Sequence, residues 1–240
     1  MSRIRIGTAG WSIPKQYTHE FPLSGSHLAR YSQVFGCAEI NSSFYRSHRT
    51  STWADWAATV PKDFRFSVKA PKAITHEAKL VCTSDQLKNF LSEASLLNKA
   101  LGPILFQLPP KSAFDTAIAR AFLTMLRDLY QGPAVFEPRH PTWFTAEADQ
   151  LLQEFNIARV AADPARISEA AVAGGWSQLI YCRLHGSPRM YYSAYPETYL
   201  QTLAATIAQQ STKEIWCIFD NTASGAALGD AQTLSRLLAL

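Results

Sequence analysis

The 240-residue chain lacks most of the features that assign a chemistry at sight. Its four cysteines, Cys37, Cys82, Cys182 and Cys217, lie far apart with no C-x-x-C pair. That spacing removes the usual zinc, iron–sulfur and redox-dithiol arrangements. No H-x-H or H-E-x-x-H occurs, and no G-x-G-x-x-G or G-x-x-x-x-G-K-[ST] follows a strand-like run, so the nucleotide-binding open sheets lose their main support. No run of five basic residues exists. With 23 Lys and Arg against 19 Asp and Glu, the net charge is only +4, and neither nucleic acid nor a membrane is an expected partner. No apolar stretch approaches the roughly 18 residues a membrane span needs. No Pro/Ser/Gly-rich linker and no internal repeat divides the chain. The first residues run straight into an alternating apolar pattern without a signal-peptide core, which points to a cytoplasmic protein with reduced thiols.

What is present is the composition of a packed core: 47% apolar and 18% charged residues, well away from disorder. Short apolar runs at 4–8, 38–41, 65–69, 104–107, 134–137, 158–163, 180–185 and 216–220 read as strands. Longer amphipathic stretches at 27–34, 51–59, 84–99, 116–130, 146–155, 196–209 and 226–238 read as helices. Ser84-Asp85 and Asp115 are candidate N-caps, and 167–173 is a candidate short helix ended by Gly174-Gly175. Such alternation implies a parallel sheet, because a crossover is what returns the chain to start a parallel neighbour. A length near the roughly 250 residues usual for a (β/α)8 barrel favours the closed form. The expectation is therefore an α/β fold, one TIM-type barrel domain spanning residues 1–240.

Nearly every run ends on a polar residue: Glu39 with Asn41, Lys69, Gln107, Glu137 with Arg139, Asp163, Arg183 with His185, and Asp220. Strand side chains have period two, so Glu39 and Asn41 share a face, as do Glu137 and Arg139, and Arg183 and His185. Ile40, Phe136, Cys182, Leu184 and Phe219 between or beside them suit the outer face, under helices. In a closed barrel the polar set then converges on the C-terminal rim, where active sites of this architecture lie. A single charge there is commonly a structural ion pair. Desolvating so many without function costs several kcal/mol per ion unless each is paired.

The chain also resembles a known family. Ile6-Gly7-Thr8-Ala9-Gly10-Trp11, Glu39-Ile40-Asn41-Ser42-Ser43-Phe44-Tyr45-Arg46, and Phe66-Ser67-Val68-Lys69-Ala70-Pro71 with Ile74-Thr75-His76 are similar to YecE-like proteins, a domain-of-unknown-function family (number 72). So are Phe106-Gln107-Leu108-Pro109-Pro110, Phe136-Glu137-Pro138-Arg139-His140 with Trp143-Phe144, Ala162-Asp163-Pro164, Arg183-Leu184-His185-Gly186 and Phe219-Asp220-Asn221-Thr222. The resemblance runs in order along nearly the whole chain. It implies a TIM-barrel fold and no established activity, so the chemistry rests on the residues.

Glu137 and Asp220 are the leading proton-transfer candidates, because carboxylates in unlike surroundings divide acid and base roles. His185 is a candidate proton shuttle near neutral pH. Lys69 either bridges to Glu39 or Glu137 or, crowded by cations, loses its proton and forms a Schiff base. The loop 221–226, small-residued and feeding a helix, is a candidate anion cradle together with Asn221, Arg183 and Arg189. Aromatic residues after the strands, including Trp11, Tyr45, Trp143 and Tyr192, are candidate walls of a lid. Arg46 and His76 sit on loops within reach. Interleaved Lys69, Arg139 and Arg183 would repel a cation, so neither metal nor cofactor is expected. The preferred expectation is a metal-independent acid–base enzyme acting on a small polar, anionic or phosphorylated, carbohydrate-like substrate. The alternatives are a metal-dependent phosphoesterase or nuclease on the same rim, and a non-catalytic ligand- or nucleic-acid-binding barrel. No patch marks a homo-oligomer interface.

Overall fold

A computed structural model describes residues 2–240. The strands are β1 (Arg3–Ala9), β2 (Cys37–Ile40), β3 (Arg65–Lys69), β4 (Leu101–Gln107), β5 (Ala134–Glu137), β6 (Ile157–Arg159), β7 (Ala161–Asp163), β8 (Gly174–Gly175), β9 (Leu179–Leu184) and β10 (Glu214–Phe219). The helices are α1 (His27–Tyr31), α2 (Thr50–Thr59), α3 (Ser84–Ser95), α4 (Thr116–Leu129), α5 (Ala146–Glu154), α6 (Glu197–Ala208) and α7 (Ala226–Leu237). The sheet runs β7-β9-β10-β1-β2-β3-β4-β5-β6-β8, and its two ends belong to one stretch of chain. The lower part of that stretch, β6, pairs in parallel with β5, and the upper part, β7, pairs in parallel with β9. Val160, between them, donates its N–H to Phe136 O at 2.8 Å. Counted as one strand, β6 and β7 close the TIM-type barrel. Among the described residues no helix is long and apolar enough to cross a membrane.

Stagger between β5 and β9 explains the break, since a closed parallel barrel requires its strands to be sheared. Where β6 leaves its other edge free, β8 fills it antiparallel, Ala158 opposite Gly175 and Arg159 opposite Gly174. The two glycines therefore end no helix. They form a strand too close to β6 for any side chain, and only a 3-10 turn, Ser168–Ala171, precedes them. The helix that would cover β7 and β9 from outside is missing. Helix starts follow local chemistry. Asp115 accepts from Ile118 N–H at 3.0 Å, as expected. The cap of α3 is Thr83, which forms a capping box with Gln86, one residue before the Ser84-Asp85 pair the sequence favours.

Two apolar layers result. Outward-facing Ile40, Phe66, Val68, Phe106, Phe136, Leu184 and Phe219 pack under the helices. Cys182 and Cys217 lie in the same layer, buried as expected. Inward-facing Leu105, Val135, Ala158, Val160, Leu179, Tyr181, Trp216 and Ile218 fill the barrel. Trp216 spans the floor, stacked on Tyr181 with ring centroids 5.9 Å apart. The space it needs comes from β4, where a Cβ on Gly102 would lie 2.7 Å from its ring and 2.9 Å from Phe66 O. Gly102→Ala should therefore lower stability by about 1–3 kcal/mol, the usual cost of overpacking, in urea unfolding. An unchanged midpoint would show that the floor is loosely packed.

Candidate functional site

Above that apolar floor the barrel interior turns polar, and one residue organises it. Arg183, the inward residue of β9 one step above Tyr181, has no exposed surface. Its Nε and Nη2 donate to the two oxygens of Glu39 at 3.0 and 2.7 Å. Nη1 donates to Glu137 Oε2 at 2.6 Å, and Nη2 also reaches Asp220 Oδ2 at 3.0 Å. A bidentate guanidinium is suited to this, since its fork matches carboxylate geometry. Below it, Tyr181 donates to Glu39 Oε2 at 2.9 Å and meets Ser67 Oγ at 2.8 Å.

Glu137 is enclosed by donors. Gln107 Nε2 donates to its Oε2 at 2.9 Å, and Arg139 donates to its Oε1 through Nε at 3.2 Å and Nη2 at 3.1 Å. Burial pushes its pKa up, but Arg183, Arg139 and His185 outweigh burial and hold it well below the ordinary carboxylate range. Glu137 thus stays an anion and has no proton to give. Asp220 is likewise raised by burial and lowered further by Arg183 and His185; Asn41 Nδ2 reaches its other oxygen at 3.4 Å. Held as anions, these carboxylates are placed to accept a proton or orient a donor rather than to give a proton at neutral pH.

His185 lies between the two. Its Nδ1 lies 3.0 Å from Asp220 Oδ2; with Asp220 ionised, Nδ1 carries a hydrogen. Nε2 faces Glu137 Oε1 at 3.4 Å, too poorly aligned for a hydrogen bond, and is buried without a partner. Burial disfavours the imidazolium, yet the contacts to Asp220 and Glu137 raise the pKa overall. Tyr191 closes edge-on over the ring, with centroids 5.6 Å apart.

Lys69 ends β3 with only 8% of its surface exposed. Neither expected bridge forms: among the described residues no carboxylate oxygen lies within 4.0 Å of Nζ. Arg183 has taken Glu39 and Glu137. Nζ lies instead 4.3 Å from the centre of the Phe44 ring. Burial and then the Arg183 charge lower its pKa from 10.5 to about 8, with Glu39, Glu137 and Asp220 opposing.

Beside His185 a cleft opens between the ends of β5 and β7. It is lined by Arg139, Arg166, His185, Phe144, Ala162 and Met190, among others, and encloses a free volume of about 30 Å³, room for one or two waters. Around the cleft and the cup, Lys69, Arg139, Arg166 and Arg183 face the carboxylates of Glu39, Glu137 and Asp220.

Other expected members lie elsewhere. Ala162 lines the cleft, so Asp163 points the opposite way, where its Oδ1 accepts from Tyr195 at 2.8 Å. Trp143 is buried in the outer layer, donating to Ser112 O at 3.0 Å. Trp11 packs edge-on to Trp56 and Phe66 outside the barrel wall. Tyr45 and Arg46 are exposed; His76 is half-buried against Phe44, its Nδ1 2.9 Å from Thr75 Oγ1. Tyr192 points outward beneath Arg189, whose guanidinium is 3.9 Å from the ring centre. Asn221, fully buried, joins Ser193 O to Asp230 Oδ2 at 2.8 and 2.7 Å. In and beside the loop it begins, the N–H groups of Ala223, Gly225 and Ala227 donate to the Tyr191, Thr222 and Asn221 carbonyls, so these three are engaged within the protein. Sequence reasoning left out Tyr181 and Arg166. Tyr181 was accessible from the period-two rule, two residues before Arg183. Which of the loop aromatics Tyr191 and Tyr192 turns inward was not, because it depends on the backbone φ of 69° at Tyr191.

Two substitutions test this electrostatic arrangement. Arg183→Met leaves Glu39 without a counter-ion and takes the central charge from Glu137 and Asp220, and should cost about 4 kcal/mol at pH 7. The native carboxyls of Glu137 and Asp220, with lowered pKa values, contribute stability above the unfolded range that is lost as pH falls. In the variant Arg139 and His185 still face them, so the loss below about pH 5 should be smaller than in the native protein. Lys69→Met should do the opposite of a usual core lesion. The folded chain holds this proton less tightly than the unfolded chain, so the ammonium opposes folding below about pH 8. Its removal should stabilise by about 3 kcal/mol at pH 7, at about 1.4 kcal/mol per unit, in denaturant titrations. The gain should shrink between pH 8 and 10.5.

The model for proteins of unknown function DUF72 matches residues 5–240. The UPF0759 protein YecE of Escherichia coli K12 is 32% identical over 154 residues, 62% of this chain and 53% of that protein. The chain thus spans about half the length of the curated relatives it matches. A DUF72 protein from Enterococcus faecalis V583 superposes with a TM-score of 0.82 at 21% identity, over 99% of this chain and 96% of that one. One from Thermotoga maritima MSB8 does so with 0.82 at 24% identity, over 99% and 100%. A match across the barrel and every rim residue described above makes this chain a member of the DUF72 family.

Proposed function

We propose that the protein is an enzyme that moves protons on a small anionic, oxygen-rich substrate at the C-terminal rim of the barrel. His185 is the acid and Lys69 the base. The observation that carries this reading is the division of labour imposed by Arg183. Its three carboxylates are fixed as anions, Lys69 is left with no counter-ion, and His185 is held between Asp220 and Glu137 with Nε2 unpartnered. A raised imidazole pKa and a lowered amine pKa bring the two proton affinities closer than in the free side chains, which favours proton transfer in both directions.

Arg139 and Arg166, beside His185 in the cleft, are the groups that receive the anionic part of the substrate. Asn41, whose Oδ1 is buried without a donor, accepts from a substrate hydroxyl. The metal-dependent reading is less well supported, because the lone pairs that would bind a cation already accept from Arg183, Gln107 and Arg139.

Proton transfer to and from carbon is visible without knowing the natural substrate. A panel of small phosphorylated and carboxylated hydroxy-carbonyl compounds in D2O, followed by NMR, should show enzyme-dependent loss of a C–H signal. His185→Gln should slow it at least about 100-fold, the usual size of an acid–base contribution, with the fold retained. Its rate should follow a bell, falling on the acid side as Lys69 is protonated and on the alkaline side as His185 loses its proton. Exchange untouched by His185→Gln would refute the assignment.

A further inference from the structure

We infer that Lys69 is a covalent nucleophile, whose ε-amine adds to the carbonyl carbon of a small aldehyde or ketone bearing an anionic group. The inference rests on the rim site of the proposed function and names its substrate class; towards such a carbonyl the neutral Lys69 amine acts as nucleophile in place of base, with His185 kept as the acid. A lysine kept only to attract an anion would be expected at the mouth, solvated. Lys69 is instead 8% exposed, and its neighbours are arranged so that the amine has no partner. Glu39 and Glu137 are committed to Arg183, and Asp220 to Arg183 and His185. The nearest face to Nζ is the Phe44 ring, 4.3 Å from its centre, which offers no proton acceptor. The backbone that carries it is anchored: Ser43 Oγ donates to Lys69 O at 2.7 Å, and Ala70 N–H to Leu105 O at 2.8 Å. Burial and the Arg183 charge lower the pKa to about 8, so roughly a tenth of the amine is neutral at pH 7. An unpaired, desolvated amine of this kind is what imine formation requires.

The step balances with groups on the page. The neutral amine nitrogen attacks the carbonyl carbon, and a proton moves from nitrogen to the former carbonyl oxygen to give a neutral carbinolamine. The carbinolamine oxygen then leaves as water, carrying that proton and one delivered by the His185 imidazolium. A protonated imine remains and His185 is left neutral, the positive charge having moved from its ring to the imine nitrogen beside the three carboxylates. The substrate's anionic group lies on Arg139 and Arg166.

Glyoxylate is a suitable probe because it joins an aldehyde to a carboxylate in the smallest form. Incubation with cyanoborohydride, which delivers hydride to the imine carbon, converts the adduct to carboxymethyl-lysine that peptide mass spectrometry locates. Lys69 should be labelled at least tenfold faster than the exposed Lys72 at pH 7.5, with a rate that rises towards pH 8 as the amine loses its proton and falls at higher pH as His185 loses its own. Glycolaldehyde, without the carboxylate, should lose most of that advantage. Labelling of Lys69 no faster than Lys72, or protection of the cup by glyoxylate with no adduct, would overturn the inference. Deuterium exchange that depends on His185 but occurs without a Lys69 adduct would sink the imine alone and leave the acid–base reading in place. Lys69→Met, which removes the amine without adding a charge, should abolish the fast site. Persistence of an equally fast adduct elsewhere on the rim would also reject Lys69 as the nucleophile.

Discussion

A guanidinium with no contact to water persists inside a barrel only if its charge is answered locally, and Arg183 is answered by Glu39, Glu137 and Asp220. Removing such ions from water costs several kcal/mol each, and mutual attraction offsets this only with good geometry and further hydrogen bonds. The fold supplies both. Tyr181 and Gln107 satisfy carboxylate oxygens from two other strands, and the Trp216 floor excludes water from below. The other end of the barrel offers a contrast. Arg5 is almost as buried, but its donors go to Glu214 and to the carbonyls of Gly36 and Asp63. That is a closed structural pairing with nothing left over.

At the rim something is left over. Three carboxylates shared around one arginine leave Lys69 without a counter-ion and His185 with an unused nitrogen. The protein carries a charged amine that opposes its own folding below about pH 8. A destabilising group of this kind, surrounded by satisfied ones, is what an active site retains when reactivity is worth more than stability. The same geometry explains why the carboxylates are poor proton donors, since every lone pair that faces the cup is engaged.

Much of this was legible in the chain. Alternation of strand and helix patterns gave the closed barrel, and the period-two rule correctly brought Glu39, Lys69, Gln107, Glu137, Arg183, His185 and Asp220 to one hollow. The rule failed where its premise did. Asp163 sits out of phase with inward-facing Ala158, Val160 and Ala162, so counting along its own strand would have placed it outside. Trp11, Trp143, Tyr192 and Asn221 lie beyond the strand ends, where no periodicity operates and distant partners such as Ser112 or Asp230 decide orientation. Division of β6 from β7, and the glycine strand that fills the gap, depend on stagger around the whole barrel. Local patterns carry no record of that. Which base answers which acid was also hidden: sequence placed Lys69 near Glu39 and Glu137, but only coordinates show Arg183 reaching them first.

The claim beneath all of this is that Arg183 monopolises the carboxylates and leaves Lys69 a weakened acid–base pair with water alone. Lysine labelled with 13C at Cε, assigned by comparison with the Lys69→Met protein, reports the titration of that one amine directly by NMR. The account predicts a midpoint near 8, separated from the exposed lysines. A midpoint at the ordinary 10.5 would mean that Lys69 has found a carboxylate after all, and the account would fall with it.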